Sequence, residues 1–249
     1  MTRGLLTGQV AVVTAGTSGI GRAIVERFLA EGADVVTTGL TAARIAEARE
    51  AWGTRARVLQ ADASSLDGLD ELAAEVRTMG RGVDALVANA GRDISSTPIA
   101  DTDAAAFDYV SDLNFRGTFF TAQRFAPLLN DHARIVLVSS IAGANGGPGH
   151  AVYNATKAAV RSLARTLTAE LGERGIRANA VSPGPTATAG FDQFTGGSEA
   201  VAAAVAQMVP LRRIGRPEEV AAAVAFLASA ESSFVAGVDL VVDGGMSQV

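Results

Sequence analysis

The chain has 249 residues, 48% of them hydrophobic and 19% charged, which predicts a large globular α/β protein rather than a disordered one. Its formal net charge of −5 provides no basic surface for nucleic acid. The chain has no cysteine, so it has no disulfide and no thiolate chemistry. It has only two histidines, His132 and His150, in different segments, and we therefore expect no metal site built from histidine.

Targeting signals are not evident in the sequence. The first ten residues lack the apolar core of a signal peptide. The apolar run at 220–228 is far shorter than the roughly 20 residues that span a bilayer. We therefore expect a soluble cytoplasmic protein.

The first predicted element is a buried strand, Gln9–Thr14, followed by the sequence TAGTSGIG at 14–21 and a helix at 20–31. A strand, a glycine-rich turn and a helix together direct backbone N–H groups and a positive dipole end towards an anion. A pyrophosphate-containing cofactor is the natural ligand. The glycines at 16, 19 and 21 do not have the G-x-G-x-x-G spacing, so a plain tight turn stays an alternative.

The second strand, Asp34–Thr38, ends without the carboxylate that often binds a ribose 2′-hydroxyl in dinucleotide sites. Thr38, Thr41 and Arg44 are potential donors to a 2′-phosphate instead. This favours NADP(H), although Arg44 is equally well explained as a solvated residue of the next helix.

The middle of the chain continues the alternation of strands and helices. Strands at 56–61 and 83–88 end at Asp62 and at Asn89, and Ser64 or Ser65 begins a helix that runs to about residue 79. A long helix is predicted from Asp103 towards Leu129. Asn114 lies in its middle, where it either disturbs the helix to reach a partner or is a satisfied structural residue.

Residues 135–165 combine a buried strand, a glycine-rich loop at 143–149 and a helix. Ser140 follows the strand, and Tyr153 and Lys157 lie four residues apart on one face of the helix. A nearby ammonium is expected to lower the pKa of the phenol, so that Tyr153 can act as an acid or base while Ser140 holds the reacting oxygen. A Tyr-x-x-x-Lys pair by itself is also typical of an ordinary amphipathic helix.

The C-terminal part contains a strand at 176–182, the rigid turn Pro183-Gly184-Pro185, an irregular segment at 186–214 with one helix at 198–207, a helix after Arg216 and a last strand at 238–242. The irregular segment is interpreted as a substrate loop. The alternation predicts a parallel sheet with helices on both faces, in one domain spanning residues 1–249. Because ligands of such sheets bind at the carboxyl ends of strands, the residues singled out above are expected to form one site.

In these motifs the chain resembles the short-chain dehydrogenase/reductase family in its compact single-domain form, a doubly wound Rossmann fold. The resemblance extends from about Thr7 to Gly245. It rests on TAGTSGIG at 14–21, Asp62, NAG at 89–91, Asn114, Ser140 with Tyr-x-x-x-Lys at 153–157, SPG at 182–184 and VDGG at 242–245.

The resemblance implies hydride transfer between a nicotinamide cofactor, NADP(H) favoured over NAD(H), and a ketone or secondary alcohol. It implies that Tyr153 is the acid/base, that Lys157 lowers its pKa and holds the nicotinamide ribose, and that Ser140 binds the substrate oxygen. Asn114 would hold a water that links Lys157 to a proton path. The implied catalytic residues are Asn114, Ser140, Tyr153 and Lys157.

The resemblance also implies a cofactor site. Its residues would be Gly16, Thr17, Ser18, Gly19, Ile20, Gly21, Leu40, Asp62, Ala63, Asn89, Ala90, Gly91, Tyr153, Lys157, Pro183, Gly184, Thr186 and Thr188. The chain departs from the family at Ala15, where glycine is usual; alanine is harmless there unless the position needs a positive φ. A homotetramer built on the helices around Asn114 and Tyr153 and on the last strand is the family expectation, and no metal is implied.

The substrate is not evident from the sequence beyond a small-molecule carbonyl or alcohol. Phe191, Phe194, Val205, Met208 and Val209 are expected to form an apolar pocket wall. Two alternatives stay open: a catalytically silent nucleotide-binding sensor or scaffold on the same fold, and a dehydratase or epimerase that uses a bound cofactor.

Overall fold

The computed structural model describes residues 4–94 and 96–249. Residues 1–3 and Ser95 fall within the predicted domain of 1–249 but lie outside the described residues. The described residues form seven strands: β1 (Val10–Val13), β2 (Asp34–Gly39), β3 (Ala56–Gln60), β4 (Val83–Ala88), β5 (Leu129–Val138), β6 (Arg177–Pro183) and β7 (Asp239–Val242). All neighbouring pairs are parallel, in the order β3-β2-β1-β4-β5-β6-β7.

Helices cover both faces of this sheet. They are α1 (Gly19–Ala30), α2 (Ala42–Trp52), α3 (Leu66–Thr78), α4 (Ala104–Ser111), α5 (Thr118–Phe125), α6 (Ala151–Leu171), α7 (Ala189–Thr195), α8 (Glu199–Met208) and α9 (Pro217–Ala228). One apolar core joins α1, α2 and α9 to the sheet, and a second core joins α3, α5 and α6 to the other face. The predicted doubly wound α/β fold is therefore confirmed.

Every strand contributes its carboxyl end to the same edge of the sheet. The strand order reverses between β1 and β4, because β2 and β3 continue to one side of β1 and β5–β7 to the other. Ligands of open α/β sheets bind in the crevice at such a reversal. We therefore expect the candidate residues to lie at this edge of the sheet.

Three predictions about the elements are wrong. The predicted helix from Asp103 to Leu129 is interrupted by a π-helical segment, Asp112–Gly117, between α4 and α5. Strand β5 begins at Leu129 rather than Ile135, because a register shift against β4 accommodates residues 130–133, with His132 in a left-handed conformation (φ 63°). The segment at 186–214 contains two helices, α7 and α8, since Thr188 and Ser198 each cap one.

None of the described helices is long and apolar enough to cross a membrane.

Candidate functional site

The turn before α1 leaves its helix N-terminus available to an anion. Ser18 is the N-cap residue but makes no side-chain capping hydrogen bond, and the first turn carries no acidic residue. The first-turn N–H groups of a helix otherwise lack partners, and the dipole favours negative charge there. Gly21 packs so closely that a Cβ would overlap the Ala15 carbonyl. The turn therefore fits a pyrophosphate, and the residues in place are Gly16, Thr17, Ser18, Gly19, Ile20 and Gly21.

Ala15 adopts a left-handed conformation within this turn, with φ 53°. Glycine reaches this region without steric penalty, whereas a Cβ makes it unfavourable. Two hydrogen bonds hold Ala15 in place: its N–H donates to Thr38 Oγ1 at 2.9 Å, and Asn89 Nδ2 donates to its carbonyl at 3.3 Å. The chain therefore has alanine, where glycine is usual, at a position that does need a positive φ.

Two residues that were predicted to contact the cofactor, Asn89 and Thr38, instead form hydrogen bonds with the turn before α1. Asn89 Nδ2 also donates to the Thr14 carbonyl at 3.1 Å, so this side chain ties the end of β4 to the phosphate turn. Thr38 is 3% exposed and its hydroxyl accepts from Ala15. Thr38 is therefore wrong as a donor to a 2′-phosphate, because its side chain lies beneath the turn; Thr41 and Arg44 are exposed, and Thr41 caps α2.

The remaining predicted cofactor residues line the same edge. Leu40 is 57% exposed at the end of β2, and Asp62 follows β3, where its Oδ1 accepts from the Ser64 N–H at 2.8 Å. Thr188, which follows β6, approaches the turn before α1, since a Cβ on Gly19 would lie 3.4 Å from Thr188 Cγ2. The others at this edge are Ala63, Ala90, Gly91, Pro183, Gly184 and Thr186.

Ser140, Tyr153 and Lys157 meet at the end of β5. Ser140 lies close enough to the Tyr153 hydroxyl to lower the pKa of that phenol. Lys157 is 4% exposed, its ammonium donates to the Val138 carbonyl at 3.0 Å, and its Nζ lies 5.6 Å from the centroid of the Tyr153 ring. The ammonium carries three N–H groups. In the described part of the chain it makes this one hydrogen bond, which leaves two donors for a ligand.

The expectation that Lys157 holds the pKa of Tyr153 below its usual value is wrong. Burial raises the pKa of Tyr153 above its usual value, the hydrogen bond with Ser140 lowers it, and the negative charge of Asp93 raises it further. Burial also lowers the pKa of Lys157 to about 8, while Asp93 acts in the opposite direction. Desolvation is therefore the largest influence on the pKa of both groups.

Asn114 lies at the π-helical segment and holds the loop after β4. Its Oδ1 accepts from the Arg92 N–H and its Nδ2 donates to the Arg92 carbonyl, both at 2.8 Å. Nδ2 also lies 3.3 Å from Thr156 Oγ1 on α6. The amide is thus fully partnered, which accounts for its burial, and the break in the helix supplies the position from which it reaches Arg92.

The segment at 186–214 carries several residues of the predicted apolar wall. The rings of Phe191 and Phe194 stack with centroids 6.3 Å apart, and Met208 is 65% exposed. Val209 is wrong as a wall residue, because it is 2% exposed and packs beneath Gly244.

Sequence reasoning overlooked a signal for Lys157. Twenty of the 21 Lys and Arg residues are Arg, and the remaining one is Lys157. A chain that uses arginine at every other basic position has kept a compact ammonium at one buried position, where the planar guanidinium is no substitute. Asp93 was also overlooked, since only the fold brings it to Tyr153.

Comparison with known proteins agrees with this geometry. The profile of the family described as "Enoyl-(Acyl carrier protein) reductase" matches residues 14–247. The chain is 39% identical over 246 residues to the oxidoreductase asL5 of Sarocladium schorii, covering 98% of each chain. It is 33% identical to 3beta-hydroxysteroid dehydrogenase 2 of Eggerthella lenta, covering 98% of this chain and 96% of that one.

Among solved structures, a short chain dehydrogenase/reductase family protein superposes with a TM-score of 0.88 at 43% identity, covering 98% of this chain and 100% of that chain. Matches of this length and identity establish the family. The protein described here belongs to the short-chain dehydrogenase/reductase family of NAD(P)-dependent oxidoreductases.

Proposed function

We propose that the protein transfers a hydride between NAD(P)(H) and a ketone or secondary alcohol, with Tyr153 as the general acid/base. The observation that carries the proposal is the placement of the Tyr153 phenol next to Ser140 and to the buried ammonium of Lys157. A phenol in this place can give a proton to a carbonyl oxygen as the oxygen becomes an alkoxide, or remove one from an alcohol.

Each neighbouring residue has a defined task in this proposal. Ser140 donates a hydrogen bond to the substrate oxygen and orients it towards the Tyr153 hydroxyl. Lys157 holds a ribose hydroxyl with its free N–H groups and offers positive charge to the phenolate. Asn114 fixes the Arg92 loop, through which the cofactor crevice keeps its shape. The nicotinamide, when bound, supplies or accepts the hydride.

Replacement of Tyr153 tests this proposal. We expect Tyr153→Phe to lose at least 100-fold in kcat/KM for carbonyl reduction while it still binds the dinucleotide, because only the transferable proton is removed. The chain has one other tyrosine, Tyr109, which is 50% exposed, and Tyr109→Phe is the matched control. Turnover measured by nicotinamide absorbance over a panel of ketones would refute the proposal if Tyr153→Phe stayed as active as Tyr109→Phe.

The same panel separates the alternatives. A nucleotide sensor would bind NAD(P)H without oxidising it against any carbonyl. A dehydratase or epimerase would convert its substrate with no net change in nicotinamide absorbance.

For the cofactor, we propose a preference for NADPH over NADH. Strand β2 ends without a carboxylate to repel a 2′-phosphate, and Arg44 is exposed on the first turn of α2. We expect kcat/KM to be higher with NADPH, and Arg44→Gln to reduce that advantage. A higher kcat/KM with NADH in the unmodified protein would contradict the preference.

We also propose that the protein is a homotetramer. Four aromatic side chains on α4, the π-helical segment and α5 are 38–52% exposed: Phe107, Tyr109, Phe115 and Phe119. Phe234 and Val238 are exposed next to β7. The rings of Phe115 and Phe119 are neighbours, with centroids 6.5 Å apart, and adjacent exposed apolar groups are typical of an interface.

A further inference from the structure

A second polar pair lies beside Tyr153. His150 Nδ1 is 2.8 Å from Asp93 Oδ2, and both side chains are largely covered, with exposed fractions of 17% and 29%. The Ile94 N–H donates to the other carboxylate oxygen of Asp93 at 2.8 Å, which fixes its orientation. A carboxylate accepts only, so the imidazole Nδ1 carries a proton in this pair.

The pair belongs to the same surface as Tyr153. His150 is the residue before α6, and its carbonyl accepts the helical hydrogen bond from the Asn154 N–H at 2.9 Å. Residues three apart at a helix start lie on the same side, which places His150 one turn from Tyr153. Asp93, His150 and Tyr153 line one small cavity of about 10 Å³. The negative charge of Asp93 also raises the pKa of both Tyr153 and Lys157.

The ring of Phe194 lies next to the imidazole. The His150 ring centroid is 5.9 Å from that of Phe194 on α7. With Nδ1 bound to Asp93, Nε2 lies on the opposite edge of the ring and has no hydrogen-bond partner among the described residues. The imidazole therefore has one nitrogen without a hydrogen-bond partner among the described residues, at the edge of the cavity that Tyr153 also lines.

We propose that His150 Nε2, held by Asp93, binds a hydroxyl group of the substrate, so that the enzyme prefers hydroxyketones to plain ketones. The inference rests on the proposed carbonyl reduction and specifies its substrate class. His150 is a specificity-determining residue here, and Asp93 is a positioning residue that acts through it.

The choice of a hydroxyl follows from the chemistry of the pair. When the imidazole is neutral, Nε2 accepts a hydrogen bond; when it is protonated, Nε2 donates one. A hydroxyl can serve as the partner in both cases, whereas a second carbonyl pairs with the protonated ring only. A carboxylate substituent would lie near the negative charge of Asp93, which disfavours it.

Paired substrates provide the kinetic test. The probes are 2-hydroxycyclohexanone against cyclohexanone, and 4-hydroxy-2-butanone against 2-butanone, each reduced with NADPH. We expect a higher kcat/KM for at least one hydroxyketone than for its partner, and we expect His150→Asn to reduce that ratio about tenfold, the size of one hydrogen bond. Asparagine can replace Nδ1 towards Asp93 but does not reach the Nε2 position.

Two further variants, His150→Gln and His132→Asn, complete this test. His150→Gln places a polar atom close to the Nε2 position, so it should recover part of the ratio that His150→Asn loses. His132→Asn alters the only other histidine, outside the site, and should leave the ratio unchanged. A wild-type enzyme that reduces both members of each pair equally, or a His150→Asn variant that keeps the full ratio, overturns the inference while the dependence on Tyr153 still supports the reductase.

A measurement without turnover gives a second readout. Only two histidines exist, so the ¹⁵N signals of the two imidazoles can be assigned with His132→Asn. We expect the His150 Nε2 signal to move when 2-hydroxycyclohexanone is added to the enzyme with NADP⁺, and to stay in place with cyclohexanone. Equal shifts with both compounds, or none with either, contradict binding through the hydroxyl. If no ketone of the panel is reduced, the reductase proposal itself fails, and the inference with it.

Discussion

At the scale of single residues, the burial of Lys157 has opposite effects on stability and function. A pKa lowered from 10.5 to about 8 means that holding the charged ammonium in this position costs about 3 kcal/mol at neutral pH. That penalty is present below about pH 8, where both states are protonated. Between pH 8 and 10.5 the unfolded state binds more protons than the folded state, so stability rises with pH.

Lys157→Met should therefore stabilise the protein while it abolishes activity. We expect a free energy of unfolding about 1–2 kcal/mol higher than wild type at pH 7, since the lost hydrogen bond to the Val138 carbonyl offsets part of the relief. The difference should shrink towards pH 10. Denaturant unfolding at both pH values measures it, and a difference independent of pH would show that the ammonium carries no such penalty.

Because Lys157 is the only lysine, its titration can be observed directly. Lysine labelled with ¹³C at Cε should give one side-chain signal with a midpoint near pH 8.

Ala15 is the second residue with a measurable penalty. Its φ of 53° costs a non-glycine residue about 1–2 kcal/mol, and glycine loses roughly half of that gain to chain entropy. The relief of strain exceeds the loss of chain entropy, so Ala15→Gly should raise the free energy of unfolding by about 0.5–1 kcal/mol. Ala23→Gly, in the middle of α1, should lower it by a similar amount or more, so the two glycine substitutions are expected to differ in sign.

At the scale of elements, the π-helical segment between α4 and α5 connects the loop after β4 to α6. It places Asn114 where one amide contacts the loop after β4 and the helix that carries Tyr153. The Thr118 hydroxyl donates to the Asn114 carbonyl at 2.7 Å, which stabilises the irregular turn. The π-helical segment therefore helps to position the residues of the candidate site.

Asn114→Ala should be strongly destabilising. It leaves the Arg92 N–H and carbonyl without partners, which costs about 2–4 kcal/mol. For a chain of this length each kcal/mol lowers Tm by about 2–4 °C. Asn130→Ala, which removes amide hydrogen bonds at a more exposed position, is the control and should cost much less. Equal effects of the two changes would argue against the role given to Asn114.

At the scale of the whole molecule, the exposed aromatic surface of α4, the π-helical segment and α5 predicts self-association. If the proposed tetramer forms through this surface, Phe119→Asp should shift the protein to a smaller species, since a buried unpaired carboxylate disfavours the interface. Light scattering at fixed protein concentration measures the change. Ile99→Asp is the control, because Ile99 is 80% exposed outside that surface. A monomeric wild-type protein would contradict the proposed assembly.

Much of the molecule could be predicted because the signals are local. The apolar runs that became β1, β4 and β6 are recognisable as buried strands, and the spacing of Tyr153 and Lys157 fixes their common helix face. The bounds of β5 and the interruption at Asn114 could not be predicted, because both depend on partners distant in sequence, the register against β4 and the Arg92 backbone.

The sequence by itself determined the doubly wound α/β class, the family and the identity of the residues that meet at the carboxyl edge of the sheet, since periodicity and motif spacing are properties of short stretches. Only the tertiary structure decided the electrostatics of the site: that burial raises the pKa of Tyr153, that Thr38 lies beneath the glycine-rich turn before α1 and that Asp93 holds His150 near Tyr153. Desolvation and through-space charge depend on how completely neighbouring elements cover a group, and this coverage exists only once the chain has folded.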